Sequence, residues 1–261
     1  MNGELAQAIA LIAHGNKALR TGERIDLEAS NSTFKFVREV HFGYSTGGKA
    51  KEIASRTQDW FSWLASHRVR RLRLGPSASR GPLPAHIASS FAGGGEWLIQ
   101  ARSESANQDW IAGWAFGEQG SPRPWRVDYL GYQSTAAWPD ERRSLRDASG
   151  KLRNALVAAG ETAAAMNEPG WDEWFRQGLA QFDNDNPVAR FHDDALPAGY
   201  TLEARQLYAA AVGSWVFGGM GSWNDVVLDD PDLKRRYDQI SGDLYSAILQ
   251  AFEAVLDTNP R

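Results

Sequence analysis

The chain of 261 residues has no cysteine, which excludes disulfide scaffolds, thiolate zinc sites, iron–sulfur clusters and cysteine nucleophiles. A reducing, cytoplasmic compartment fits that absence. Histidine is scarce, five residues in all, with neither HExxH nor His-x-His spacing, so no metal and no cofactor is expected. No secretory leader is expected either. The opening MNGELAQAIALIAHG places Glu4, and no Lys or Arg, ahead of a short apolar run. The longest uncharged stretch, Gln206 to Asn224, is interrupted by Gly213, Gly218, Gly219 and Gly221 and is poor in aliphatic side chains. A buried helix running into a glycine turn is expected there, and no membrane span.

What remains is ordinary for a soluble globular chain: 43% hydrophobic, 23% charged and long enough to bury a sizeable core. Charge is unevenly placed. Residues 1–153 carry 21 Lys and Arg against 15 Asp and Glu, whereas residues 154–261 carry 7 against 17. Such halves attract one another or face different partners. Arginine supplies 22 of the 28 basic residues, a usage that fits a GC-rich bacterial genome.

Periodicity assigns an α+β class. Helix is expected over about 4–20, with Leu5, Ile9, Ile12 and Leu19 on one face. A strand follows at Phe34–Tyr44, then a helix carrying Ile53, Trp60, Trp63 and Leu64. Further strands are expected at 69–74, Glu96–Arg102, Asp109–Phe116 and Trp125–Tyr132. The gaps between the last three are too short for helical crossovers, so a largely antiparallel sheet of about five strands is expected. The second half reads as helices over about 140–166, 170–182, 201–217 and from Asp230 onward. Asp230 is placed to cap the last of these, with Pro231 at its first position and Leu233, Tyr237, Ile240, Leu244, Ile248, Phe252 and Val255 as its apolar stripe. The expected division is a mixed part over 1–135 and a helical part over 136–261 packed on the sheet, as two domains or one fused unit. Trp97, Trp110, Trp114 and Trp125 fall on strands, where a Trp-lined face would be core covered by the second-half helices.

The segment GYSTGGKA at 43–50 fits two motifs. As G-x-S-x-G, in the context VHFGYSTGGKAKEIA, it resembles the nucleophile segment of α/β-hydrolase esterases and lipases. That resemblance covers about fifteen residues and implies Ser45 as nucleophile, with His192 as the base that follows it in the chain. As G-x-x-x-x-G-K it resembles a P-loop in which Lys49 reaches phosphates, with Ala50 where Ser or Thr would bind magnesium. The surroundings fit neither motif. Only 44 residues precede Ser45, and the later strands are closely spaced. The favoured reading is a glycine-rich strand-to-helix turn with Ser45 or Thr46 capping the helix.

Three other features stand out. The Arg-rich strand 68–73, with Arg80 beyond it and a second basic cluster over 142–153, suggests phosphate contacts. The overall acidic charge and the absence of a nucleic-acid motif argue against them. The acidic runs at 183–194 and 225–232 lack EF-hand spacing and read as helix-end and loop charge. The segment GSWVFGGMGSWND at 213–225 is the most unusual. Its glycines let the backbone approach a partner closely, and its two tryptophans offer contact area. Trp215, Gly218, Gly219, Gly221, Trp223, Asn224 and Asp225 are therefore the candidate partner- or ligand-binding residues, set against a plain helix end packed by the two indoles. The expected function is a non-catalytic cytoplasmic binding or accessory protein that recognises a protein partner or small ligand. A serine hydrolase using Ser45 and a nucleic-acid binder using strand 68–73 are the alternatives.

Overall fold

The computed structural model describes residues 1–75, 78–79, 83–90, 95–104, 106–117, 119–135, 138, 142–218 and 220–258. In chain order the first half holds α1 (Gly3–Thr21), α2 (Leu27–Ser30), β1 (Val37–Ser45), β2 (Lys51–Ala54), α3 (Thr57–Ser66) and β3 (Val69–Leu74). A short ribbon, β4 (Ala78–Ser79) with β5 (Gly95–Glu96), flanks α4 (Ala85–Ala88). After it come β6 (Leu98–Ser103), β7 (Gln108–Phe116) and β8 (Trp125–Gln133). The second half is helical: α5 (Leu145–Ala165), α6 (Pro169–Ala180), α7 (Leu202–Gly213) and α8 (Pro231–Asp257). The fold is α+β, as the periodicity indicates.

The main sheet has six strands in the order β2-β1-β8-β7-β6-β3, one more than expected. Four of its five neighbouring pairs are antiparallel, and β1 pairs with β8 in parallel. The extra strand is β2. GYSTGGKA does not turn a strand into a helix; it closes a hairpin in which Tyr44 faces Lys51 and Phe42 faces Ala54. Ile53 therefore lies on a strand, and α3 begins only at Thr57. Neither Ser45 nor Thr46 caps a helix. The Ser45 hydroxyl donates to the Gly48 carbonyl at 2.9 Å, inside the hairpin loop.

The sheet's inner face carries Phe42, Leu72, Ile99, Trp110, Val127 and Tyr129, all buried. Trp110 stands edge-on to Trp60 and Trp63 of α3, at 5.3 and 5.7 Å between ring centroids. The expectation that the second-half helices cover this face needs correction at β7, where the cover is α3. Helix α1 is the layer between the sheet and the helical half. It touches β3 and β6 on one side and α8 on the other. It is buried on all sides from Leu5 to Ala13, not along one stripe. Its Asn16 side chain covers the edge of β3, donating to the Leu72 carbonyl at 2.9 Å and accepting its N–H at 2.7 Å. The helical half meets the sheet directly where α8 packs on β3. One hydrophobic core runs through both halves.

Helix α8 forms as its sequence dictates. The Asp230 carboxylate accepts the N–H groups of Asp232 and Leu233, and Tyr237, Leu244, Ile248, Phe252 and Val255 are buried. No helix among the described residues is long and apolar enough to cross a membrane.

Candidate functional site

Where α7 ends, the chain enters the glycine-rich segment and passes beside the start of α6. Between them lies a cavity of about 650 Å³, whose wall includes Trp171, Trp174, Trp215, Phe217, Gly218 and Gly221. That volume falls within the roughly 300–1,000 Å³ of small-molecule sites. Pro169 at the first position of α6 fixes the entry of that helix after Glu168. Trp171 and Trp174, three residues apart, then share one side of it, edge-on to each other at 6.2 Å. Both are half-buried, whereas Phe175 is fully buried beneath them.

The candidate residues from 213–225 divide by role. Trp215, Gly218 and Gly221 line the cavity. Trp215 is held in place by its indole N–H, which donates to the Phe217 carbonyl at 2.6 Å. Trp223 is fully buried and serves as the anchor. Its N–H donates to Ser241 Oγ at 2.8 Å, and Trp171, Phe175 and Tyr237 surround its ring. Asn224 ties the segment to the opposite wall, donating to the His86 carbonyl at 3.0 Å and to Ser90 Oγ at 2.6 Å. Asp225 closes a capping box with Ser222. Gly221 takes φ +80°, the left-handed turn that favours glycine. Gly219 lies outside the described residues.

Electrostatically the wall is simple. Glu168 is its one ionisable side chain among the described residues, and its carboxylate makes no hydrogen bond or ion pair within the described structure. The Trp174 ring carries the Arg190 guanidinium 4.0 Å from its centroid. Trp171, Trp174 and Glu168 were not among the sequence candidates. Only the run EPGWDEWF, in which two tryptophans follow an acid at a helix start, hints at them.

The structure does not bring Ser45 and His192 together as an esterase site. The turn after Ser45 leads into a strand, so the strand–turn–helix geometry of a nucleophile elbow is absent. His192 Nδ1 instead lies 2.8 Å from Ser32 Oγ. That hydroxyl donates to Asp194, whose carboxylate also accepts the Ser32 N–H at 2.6 Å. The acid thus engages the serine and not the imidazole, the reverse of a catalytic triad. The arrangement docks the 184–200 loop onto α1 and the turn after α2, helped by His14 and Asn31, which both contact the Asp194 carbonyl. Burial lowers the pKa of both His14 and His192.

The Arg-rich strand and the basic cluster after residue 141 meet around a second, polar cavity of about 560 Å³ bordered by β3, α5 and α8. Most of these cations are engaged within the chain. Arg71 pairs with Asp257 at 2.6 Å, and Arg143 pairs with Glu253. Arg68 and Arg70 share Glu104. Arg73 donates to Gln100, which in turn donates to Asp109 at 2.8 Å. Arg80 lies outside the described residues. The acidic runs are similarly used: Asp183 pairs with Arg153, Asp193 accepts the Ala189 N–H, and Asp230 caps α8. No group of three or more His, Asp or Glu residues suited to a metal occurs among the described residues. No protein-family model, curated protein or solved structure matches this chain, and the functional reading therefore rests on the cavity's own residues.

Proposed function

We propose that the chain is a non-catalytic binding protein of the cytoplasm, and that it recognises a small ligand or a partner's side chain in the tryptophan-lined cavity between 213–225 and α6. The observation that carries this reading is the convergence of Trp215, Gly218 and Gly221 with Trp171 and Trp174 on one concavity of about 650 Å³. Apolar walls with a few placed polar groups are the usual form of such sites. The wall is also built to hold its shape. Trp223 clamps the segment from below, and Asn224 fastens it to 86–90. A site organised before binding loses less free energy to ordering.

The test is titration of an uncharged environment-sensitive dye, PRODAN, into the folded protein. Saturable one-site binding with blue-shifted emission is expected. Gly218→Leu should abolish it: a Cβ there meets only Ser222 Cβ at 3.7 Å, so the longer side chain fills the cavity without breaking the fold. Absent saturable binding, or binding unchanged in that variant, refutes the reading.

A further inference from the structure

The cavity's chemistry is more specific than its shape, and the step taken here rests on the cavity being the binding site. We infer that it takes an organic cation: an alkylated ammonium, of the trimethylammonium kind, carried on an apolar body.

Three observations lead there. The first is the wall's aromatic content. Trp171, Trp174 and Trp215 line it together with Phe217, and indole faces attract cations through the negative face of the ring quadrupole. Trp174 already shows this behaviour, with the Arg190 guanidinium 4.0 Å from its ring centroid.

The second is charge. Glu168 is the sole ionisable side chain of the wall among the described residues, and no Lys, Arg or His lines it. The carboxylate has no partner in the described structure. It also belongs to the half of the chain with 17 acidic against 7 basic residues. An anion would meet the Glu168 carboxylate, and no Lys, Arg or His side chain of the described wall would offset it.

The third is the use already made of the other polar groups. Asn2 Oδ1 accepts the Leu5 N–H, and its amide donates to the Ser89 carbonyl. The Ser89 and Ser90 hydroxyls both donate to the His86 carbonyl. Ser222 Oγ donates to the Gly218 carbonyl at 3.0 Å, and the Phe217 carbonyl accepts from Trp215. Among the buried side-chain polar atoms of the described wall, only the Trp174 indole N–H is left without a partner, so a ligand that depends on several neutral hydrogen bonds finds few free ones. A quaternary ammonium needs none: it asks only for aromatic faces and one negative charge. The volume exceeds that of the onium group alone, hence the apolar body. A free small molecule and a modified lysine side chain both present this onium, and one experiment separates the two sources.

Isothermal titration of the full chain compares acetylcholine with 3,3-dimethylbutyl acetate, its uncharged carbon isostere. A third titrant is a short peptide bearing trimethyllysine. Roughly tenfold preference for acetylcholine over the isostere is expected. Glu168→Gln, a change at an exposed position whose side chain caps nothing, should reduce that preference to about threefold or less while leaving the isostere's affinity unchanged. If the peptide binds more tightly than acetylcholine, the source is a side chain; if less, it is a free small molecule, and either supports the onium assignment. Equal affinity for acetylcholine and the isostere, or no binding of any onium while PRODAN still binds, overturns the assignment and leaves the binding site standing. Loss of PRODAN binding as well removes the site itself.

Discussion

Gly131→Ala tests the packing at the centre of the sheet. Gly131 of β8 stands directly opposite Trp110 of β7. A Cβ placed on it would lie 2.7 Å from three ring atoms of that indole. Carbon atoms in contact need about 3.5–4.0 Å, so the ring must retreat by about 1 Å. Retreat is blocked on the other side. Trp110 is fully buried, with Trp60 and Trp63 at 5.3 and 5.7 Å, and its N–H is committed to Gln108 Oε1 at 3.1 Å. Overpacking of this kind costs about 1–3 kcal/mol. The stiffer unfolded chain returns about 0.4–1 kcal/mol. The net expectation is a loss of about 1–2 kcal/mol, or roughly 2–8 °C in Tm at this chain length. Urea unfolding followed by far-UV circular dichroism should show a lower midpoint with an unchanged slope. The decisive comparison repeats the substitution in a Trp110→Leu background. With the indole gone, the alanine should become neutral or stabilising. An equal cost in both backgrounds, or none in the native one, refutes the account of this contact.

Other perturbations have equally definite outcomes. Arg71→Ala leaves Asp257 without its main partner at a site where both side chains are about seven-eighths buried (15% and 12% exposed), and a loss of about 2 kcal/mol in urea unfolding is expected; an unchanged midpoint would show that the pair contributes nothing. His14, His86 and His192 all have pKa values lowered by burial, so the unfolded chain binds more protons as pH falls through 6.5. Stability should therefore drop between pH 7.5 and 5.5 and level off below the folded-state values, and a urea midpoint that rises on acidification contradicts this. A fluorophosphonate probe should leave the folded protein unlabelled; labelling that disappears in Ser45→Ala or Ser32→Ala would make the chain a serine hydrolase.

Much of the architecture is legible in the sequence where local signals and burial agree. Helix α8 shows its cap, its proline and its stripe, and all three act as read. Strand β8 alternates clearly because one face is core. The misreading at 43–54 has a physical cause. Ser-Thr-Gly-Gly suits a hairpin as well as a helix start, and β2 is a four-residue edge strand that buries only Ala54 fully, too little to show alternation. The parallel pairing of β1 with β8 joins segments some 90 residues apart and leaves no local trace. Helix α1 carries mostly Ala, Leu and Ile from residue 5 to 13, which reads as one apolar face but serves a helix enclosed on every side. At the site, the glycines and indoles of 213–225 mark it. The cavity's other wall is set by how α6 packs, and nothing local announces that Glu168 is left without a partner.

The cavity can be read directly by fluorine NMR. With 5-fluorotryptophan at the eleven tryptophan positions, and each resonance assigned by single Trp→Phe variants, acetylcholine is titrated into the protein. The account requires saturable shifts at Trp171, Trp174 and Trp215, with Trp60 and Trp110 in the sheet core unmoved. Shifts confined to the indoles at the far end of β7 and β8, Trp114 and Trp125, or no saturable shift at any position, would contradict it.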